Sequence, residues 1–164
     1  MQVDKKYTTT SAKKTQKLGQ QFALEILNTQ GNEKAIVIGL SGNLGGGKTT
    51  FLQGFARGLG IGEKILSPTF VILKRFTVKK TSKNFYHFDC YRTNKPEEIL
   101  DLDFKKIISD VKNIVAIEWP EKINKFLPEG TILIYFKFID KNPDGGTVED
   151  PRRSRDKREI KFKI

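Results

Sequence analysis

Cysteine and histidine occur once each in this chain of 164 residues, and long apolar runs are missing. The single cysteine, Cys90, excludes an internal disulfide; between aromatic neighbours in a strand-like stretch it reads as a small buried hydrophobe rather than a reactive thiol. One His and one Cys also argue against zinc at the His87-Phe88-Asp89 stretch, because zinc sites draw on three or four His, Cys or carboxylate ligands. No segment approaches the roughly 20 uninterrupted apolar residues of a membrane helix, and residues 1–17 are polar and lysine-rich without the apolar stretch of a secretory signal. The sequence therefore predicts a cytoplasmic protein that does not enter a membrane. Internal repeats and long low-complexity linkers are absent too. That leaves a single domain over residues 1–164, of a size that buries about two-thirds of its unfolded surface without disulfides or metals.

Acidic residues are scarce where lysines gather. The formal charge is +11; residues 1–20 hold five lysines against Asp4, and residues 71–88 hold Lys74, Arg75, Lys79, Lys80 and Lys83 with no acid. Such segments either attract a polyanion such as RNA through counterion release or form plain solvated surface, and charge alone does not decide between the two.

The apolar pattern alternates strand-like and helix-like segments, which predicts an α/β fold: three layers, α/β/α, around a mixed, largely parallel sheet. Ser11 is placed to cap a helix whose apolar positions Leu18, Phe22 and Ile26 recur every four residues and pack on the sheet, with Gly31 as the stop. The unbroken apolar run 35–40 predicts a strand covered on both faces, leading into a glycine-rich turn and a helix over 48–59. Residues 69–76 and 84–91 read as strands joined by an exposed basic loop, 77–83. A helical segment follows at 96–102, with Pro96 in its first turn and Glu97 and Glu98 at the positive end of its dipole. Residues 113–117 are a second buried strand, ending at Glu118. After Pro120 come a short helix, a strand over 131–139 and a final edge strand over 160–164. Asn142-Pro143-Asp144-Gly145-Gly146 is turn chemistry, and the charged insertion 140–157 is expected to be mobile.

Gly42-Asn43-Leu44-Gly45-Gly46-Gly47-Lys48-Thr49 matches the phosphate-binding pattern G-x-x-x-x-G-K-[ST], with the strand before it and the helix after it that the mechanism requires. The glycines let the backbone turn tightly enough to aim N–H groups at phosphate oxygens, the helix N-terminus adds a positive dipole end, and Lys48 adds a mobile full charge. A plain glycine-rich turn would need neither the lysine nor Thr49, whose hydroxyl suits Mg²⁺. A bound nucleoside triphosphate, most simply ATP, follows.

Phosphoryl transfer also needs a carboxylate at Mg²⁺ and a group that orients the attacking water. Glu118 ends a buried strand, where open α/β sheets bind ligands, and is assigned to Mg²⁺ alongside Thr49. His87, Asp89 and Tyr91 alternate along one strand and share a face, and Asp89 is the candidate for orienting or deprotonating water. Arg92 beside it is either a charge stabiliser or a structural ion-pair partner. Ser67-Pro68-Thr69-Phe70 is either a loop that senses the γ-phosphate or an ordinary turn, and Trp119 either stacks on a base or packs.

Taken together these residues resemble the bacterial TsaE (YjeE) family, the ATPase of tRNA N6-threonylcarbamoyladenosine biosynthesis. Four blocks carry the resemblance: GNLGGGKTTFLQGFARGLGI at 42–61, SPTF at 67–70, YHFDCYR at 86–92 and EWPE at 118–121. It extends over about residues 10–139. The resemblance implies a small P-loop fold that binds and slowly hydrolyses ATP and works with the partner proteins TsaB and TsaD, reaching tRNA through that complex. It implies Lys48 on the phosphates, Thr49 and Glu118 at Mg²⁺ and Asp89 in the hydrolytic role, with Thr50 near the α-phosphate and Thr69 in a loop facing the nucleotide. Gly46 stands where the family usually has alanine and Asn43 where aspartate is frequent, while 140–157 is longer and more charged than the family's C-terminal hairpin. Two other classes compete. One is a small P-loop metabolite kinase, whose lid would draw on Arg152, Arg153, Arg155 and Arg158; the other is a regulatory nucleotide- or RNA-binding module built on the basic segments.

Overall fold

Every residue of the strand Asn113–Glu118 is buried, as befits a strand paired on both edges and covered on both faces. In the computed structural model, which describes residues 4–66, 72–79, 81–139 and 157–163, this strand is β5 of a seven-stranded sheet. The others are β1 (Lys5–Thr9), β2 (Ile36–Gly42), β3 (Leu73–Thr77), β4 (Asn84–Asp89), β6 (Ile132–Phe138) and β7 (Arg158–Lys163). The spatial order is β1-β7-β6-β2-β5-β4-β3. Strands β6, β2, β5 and β4 run parallel to one another. On one side β7 and then β1 join antiparallel, and on the other β3 does. The mixed, largely parallel sheet expected from the sequence is the one observed.

Side-chain alternation divides the core into two layers. Ile114 and Ala116 of β5 face helices α1 (Ala12–Asn28) and α2 (Lys48–Gly58), where Phe22, Phe51 and Phe55 pack with Phe136 and Phe162. Val115 and Ile117 face the other way, onto Phe88, Phe104 and Ile123. These last two come from α3 (Phe104–Ser109) and the 3-10 segment Pro120–Phe126; a further 3-10 segment, Pro96–Leu102, packs on the same face. Each fully buried Phe, Ile or Leu contributes about 1.5–3 kcal/mol relative to an exposed position.

Helix α2 is held by a close crossing with α1. A Cβ on Gly54 would lie 1.9 Å from the carbonyl oxygen of Gln16, and one on Gly19 would lie 2.2 Å from that of Phe51. The two backbones are therefore in direct contact, and Gln16 donates to Gln53 across the crossing at 3.0 Å. Fixing α2 in this way fixes its N-terminus, where the glycine-rich loop ends.

Ser11 caps α1 as expected, its hydroxyl oxygen accepting from the Lys14 N–H at 3.2 Å. The helix ends at Asn28, short of Gly31, because the Thr29 N–H turns back to the Ile26 carbonyl. The predicted final edge strand is an interior one: β1 pairs with β7 along five positions and takes the edge itself. Lys-Lys-Tyr-Thr-Thr gave no strand signal because four of its five residues are exposed, and charged residues suit an edge. Helix α3, at six residues, was too short to show a period. Strand β4 ends at Asp89, two residues earlier than predicted. In the basic loop Lys79, Thr81 and Ser82 are exposed as expected, whereas Val78 is buried. The predicted strand start at 69–71, the turn at 142–146 and nearly all of the 140–157 insertion lie outside the described residues. Among the described residues no helix is long and apolar enough to cross a membrane.

Candidate functional site

Sheet register gathers the sequence-assigned acids. Leu40 of β2 pairs with Glu118 of β5, and Glu118 pairs with Asp89 of β4, so the carboxyl ends of three parallel strands finish on one level. The loop 42–47 starts from the first of these ends and closes into α2. Gly42, Gly45 and Gly47 take φ of 140°, 73° and 102°, backbone that glycine adopts without the steric cost other residues meet. Gly47 forms the N-cap of α2, leaving the first N–H groups of the helix to face the loop. A cavity of about 190 Å³ opens there, lined by residues 44–50 with Asp89, Tyr91, Glu118 and Trp119.

Lys48 is 4% exposed. Its ammonium donates to the carbonyl oxygens of Gly42 at 2.6 Å and Asn43 at 3.0 Å, and sits 4.1 Å from the centre of the Trp119 ring. Burial lowers its pKa from the usual lysine value, opposed by the nearby charges of Glu118, Glu121 and Asp89. The Thr49 hydroxyl lies 3.2 Å from both carboxylate oxygens of Glu118. Glu118 Oε1 also meets His87 Nε2 at 2.9 Å, and the two side chains are 4% and 0% exposed. A lysine, a hydroxyl and a carboxylate thus converge at a helix N-terminus, a site that favours anions.

Asp89 is half-buried, and its Oδ1 accepts the Tyr91 N–H at 3.0 Å, a turn that leads the chain out of β4. Tyr91 therefore lies past the strand end, yet it still lines the cavity, with its ring 5.1 Å from that of Trp119. His87 does not line it; His87 sits beneath, on Glu118. Asn43 and Leu44 are exposed, Gly46 and Gly47 are buried, and Thr50 is half-buried at the cavity wall. Thr69 and the rest of Ser67-Pro68-Thr69-Phe70 lie outside the described residues.

The donor set suits Mg²⁺. Among the described residues no three His, Cys, Asp or Glu side chains converge on one point, so there is no all-protein metal cage. Thr49 and Glu118 instead offer hydroxyl and carboxylate oxygens side by side next to the glycine-rich loop. That is how Mg²⁺ is usually held: few protein oxygens, the rest from water and phosphates.

Three features of the site had no signal in the sequence. Trp119 takes a left-handed backbone conformation (φ 61°), and its N–H donates to the Leu40 carbonyl at 3.1 Å, which brings the indole over Lys48. His87 reaches Glu118 diagonally across the β4–β5 ladder, beside Ala116, whose small side chain leaves room for the ring. Arg158, expected among lid arginines, belongs instead to β7, because it pairs with Thr9 and Phe138 inside the sheet. Its side chain is buried and packs against Gly47, where a Cβ would lie 2.9 Å from the arginine Cδ and Nε. Arg152, Arg153 and Arg155 are outside the described residues.

Comparison with known proteins agrees with this geometry. Residues 9–144 match the family model described as "Threonylcarbamoyl adenosine biosynthesis protein TsaE". The tRNA threonylcarbamoyladenosine biosynthesis protein TsaE of Haemophilus influenzae is 37% identical over 124 residues, 76% of each chain. The protein of that name from Rickettsia prowazekii is 36% identical over 138 residues, 83% of this chain and 88% of its own. The crystal structure of YdiB from Bacillus subtilis superposes with a TM-score of 0.69 at 28% identity, covering 100% of this chain and 87% of that one. The chain belongs to the TsaE family.

Proposed function

We propose that this chain binds ATP with Mg²⁺ in the loop 42–49 and hydrolyses it to ADP and phosphate, in support of tRNA threonylcarbamoyladenosine biosynthesis alongside TsaB and TsaD. The observation that carries the reading is Thr49 Oγ1 at 3.2 Å from both oxygens of a buried Glu118, next to a buried Lys48, at the N-terminus of α2.

In this reading the N–H groups of residues 45–49 and the Lys48 ammonium hold the β- and γ-phosphates. Lys48 exchanges the carbonyls of Gly42 and Asn43 for phosphate oxygens. Thr49 and Glu118 would hold Mg²⁺, which would supply neutralisation of the negative charge on the phosphates. Thr50, at the cavity wall, is assigned to the α-phosphate in this reading. Asp89, one rung across from Glu118 and half-open to the cavity, accepts a hydrogen bond from the attacking water and orients it in line with the bond to be broken. Water adds to the γ-phosphorus as the bond to the β,γ-bridging oxygen breaks; the bonding pair stays on ADP, and both protons of the water leave with the released phosphate as H₂PO₄⁻. Arg158, buried against Gly47, braces the loop from the β7 side. The relatives' names support a place in tRNA modification rather than in small-metabolite phosphorylation.

The test is phosphate release from ATP with Mg²⁺ by wild type, Glu118→Ala and Asp89→Ala, each alone and with TsaB, TsaD and tRNA. Slow release by wild type that rises with the partners, and is lost in both variants while nucleotide binding persists, is the expected result. Confirmed binding without release under any condition would remove the hydrolase reading. Unchanged turnover in either variant would take that residue out of the mechanism.

A further inference from the structure

The nucleotide reading uses Glu118 but leaves out the side chain that holds it. His87 is 0% exposed, and its Nε2 lies 2.9 Å from Glu118 Oε1. His87 Nδ1 is buried with no hydrogen-bond partner among the described residues. A carboxylate can only accept, so His87 Nε2 carries the proton of this contact and donates to Glu118.

Resting on the Mg²⁺–ATP reading, the geometry points to His87 as the positioning residue for Glu118: it fixes the carboxylate on Thr49 and keeps it off Lys48. Two further observations support this. Lys48 is buried close enough for Glu118 to act on its charge, yet its ammonium bonds the Gly42 and Asn43 carbonyls instead. Glu118 meanwhile has Oε1 on His87 and both oxygens within reach of Thr49. Without the histidine donor, a nearly buried carboxylate beside a buried ammonium would gain by turning onto it. That one rotation would remove the carboxylate from the metal position and the lysine from the phosphates. Ala116, beside His87 in the β4–β5 pairing, provides the space the ring needs to reach diagonally to residue 118.

The role separates from plain packing by its dependence on a donor at one position. His87→Gln places an amide N–H near the Nε2 position; His87→Met fills the space and has no donor. ATP affinity is measured by calorimetry in excess EDTA and across a Mg²⁺ titration, with folding of each variant checked by thermal melting. In His87→Met the Mg²⁺ midpoint should move up by about 10- to 100-fold, the usual cost of losing a partner behind a metal ligand. In His87→Gln it should stay near wild type. A wild-type midpoint in folded His87→Met overturns the inference. Should His87→Met fail to fold, His87→Gln decides alone, a wild-type midpoint supporting the role and a shifted one overturning it. Wild type that binds no ATP with or without Mg²⁺ overturns the nucleotide reading itself, and this inference with it.

Discussion

Replacing Lys48 by methionine should weaken ATP binding and stabilise the empty protein at the same time. Methionine nearly matches the lysine stem in length but carries no charge. Hydrogen bonds to charged groups contribute about 1.5–3 kcal/mol. In the proposed binding mode Lys48 exchanges its contacts to Gly42 and Asn43 for phosphate oxygens, and losing those charge-assisted bonds in the variant costs about 2–3 kcal/mol. At about 1.4 kcal/mol per decade this is an affinity roughly 30- to 140-fold weaker. The stability change has the opposite sign. Burial lowers the pKa of Lys48 in spite of Glu118, Glu121 and Asp89, so the folded state holds the charged form less favourably than the unfolded chain does. Wild type carries that cost at neutral pH and sheds it as pH rises through the lowered value toward 10.5. Lys48→Met removes it. Asn43 is exposed, so water can replace the lost contact to its carbonyl. Relieving strain at a functional site typically gains about 0.5–2 kcal/mol, and 1 kcal/mol corresponds to about 2–4 °C in Tm for a chain of this size. Calorimetry with ATP and thermal melting without it read the two effects. A lower Tm in the empty variant would mean that the carbonyl and Trp119 contacts outweigh desolvation; undiminished affinity would mean that Lys48 does not reach the phosphates.

Gly54→Ala places a methyl group where the Gln16 carbonyl oxygen now stands, 1.9 Å away, and α1 and α2 can only move apart to admit it. Overpacking of this kind costs about 1–3 kcal/mol, which a lower urea midpoint would register; an unchanged midpoint would refute the close crossing. Burial also pushes the Cys90 thiol up to about 12 from 9.0. The folded protein should therefore resist thiol reagents at pH 8–9 until it is unfolded. Its stability should decline as pH rises through the window from 9.0 to about 12, where the unfolded chain has lost the proton and the folded one keeps it. Rapid labelling of the native protein would contradict the buried position.

The loop 42–49, its flanking strand and helix, and the acids Glu118 and Asp89 were legible in the sequence. Each depends on short-range rules: an apolar run, a glycine pattern, a strand that stops at a charge. The same rules failed where local signal was weak. Lys5–Thr9 is a strand because β7 offers it a paired edge, and ion pairs from Lys6 to Glu159 at 2.7 Å and from Lys161 to Asp4 at 2.8 Å tie it there. Nothing within those five residues says so. Arg158, a lid arginine in the kinase alternative, is a buried side chain against Gly47 because β7 is an interior strand.

What the sequence determined by itself is the glycine-rich loop 42–49 between its strand and its helix, since that pattern is a matter of particular residues at fixed short spacing. Which side chains meet was decided only by the tertiary structure. The contacts His87 to Glu118, Trp119 to Lys48 and Arg158 to Gly47 span 31, 71 and 111 residues, distances over which no local pattern carries information. The pairing of β2, β5 and β4 on one level, and of β7 beside β6, brings them together.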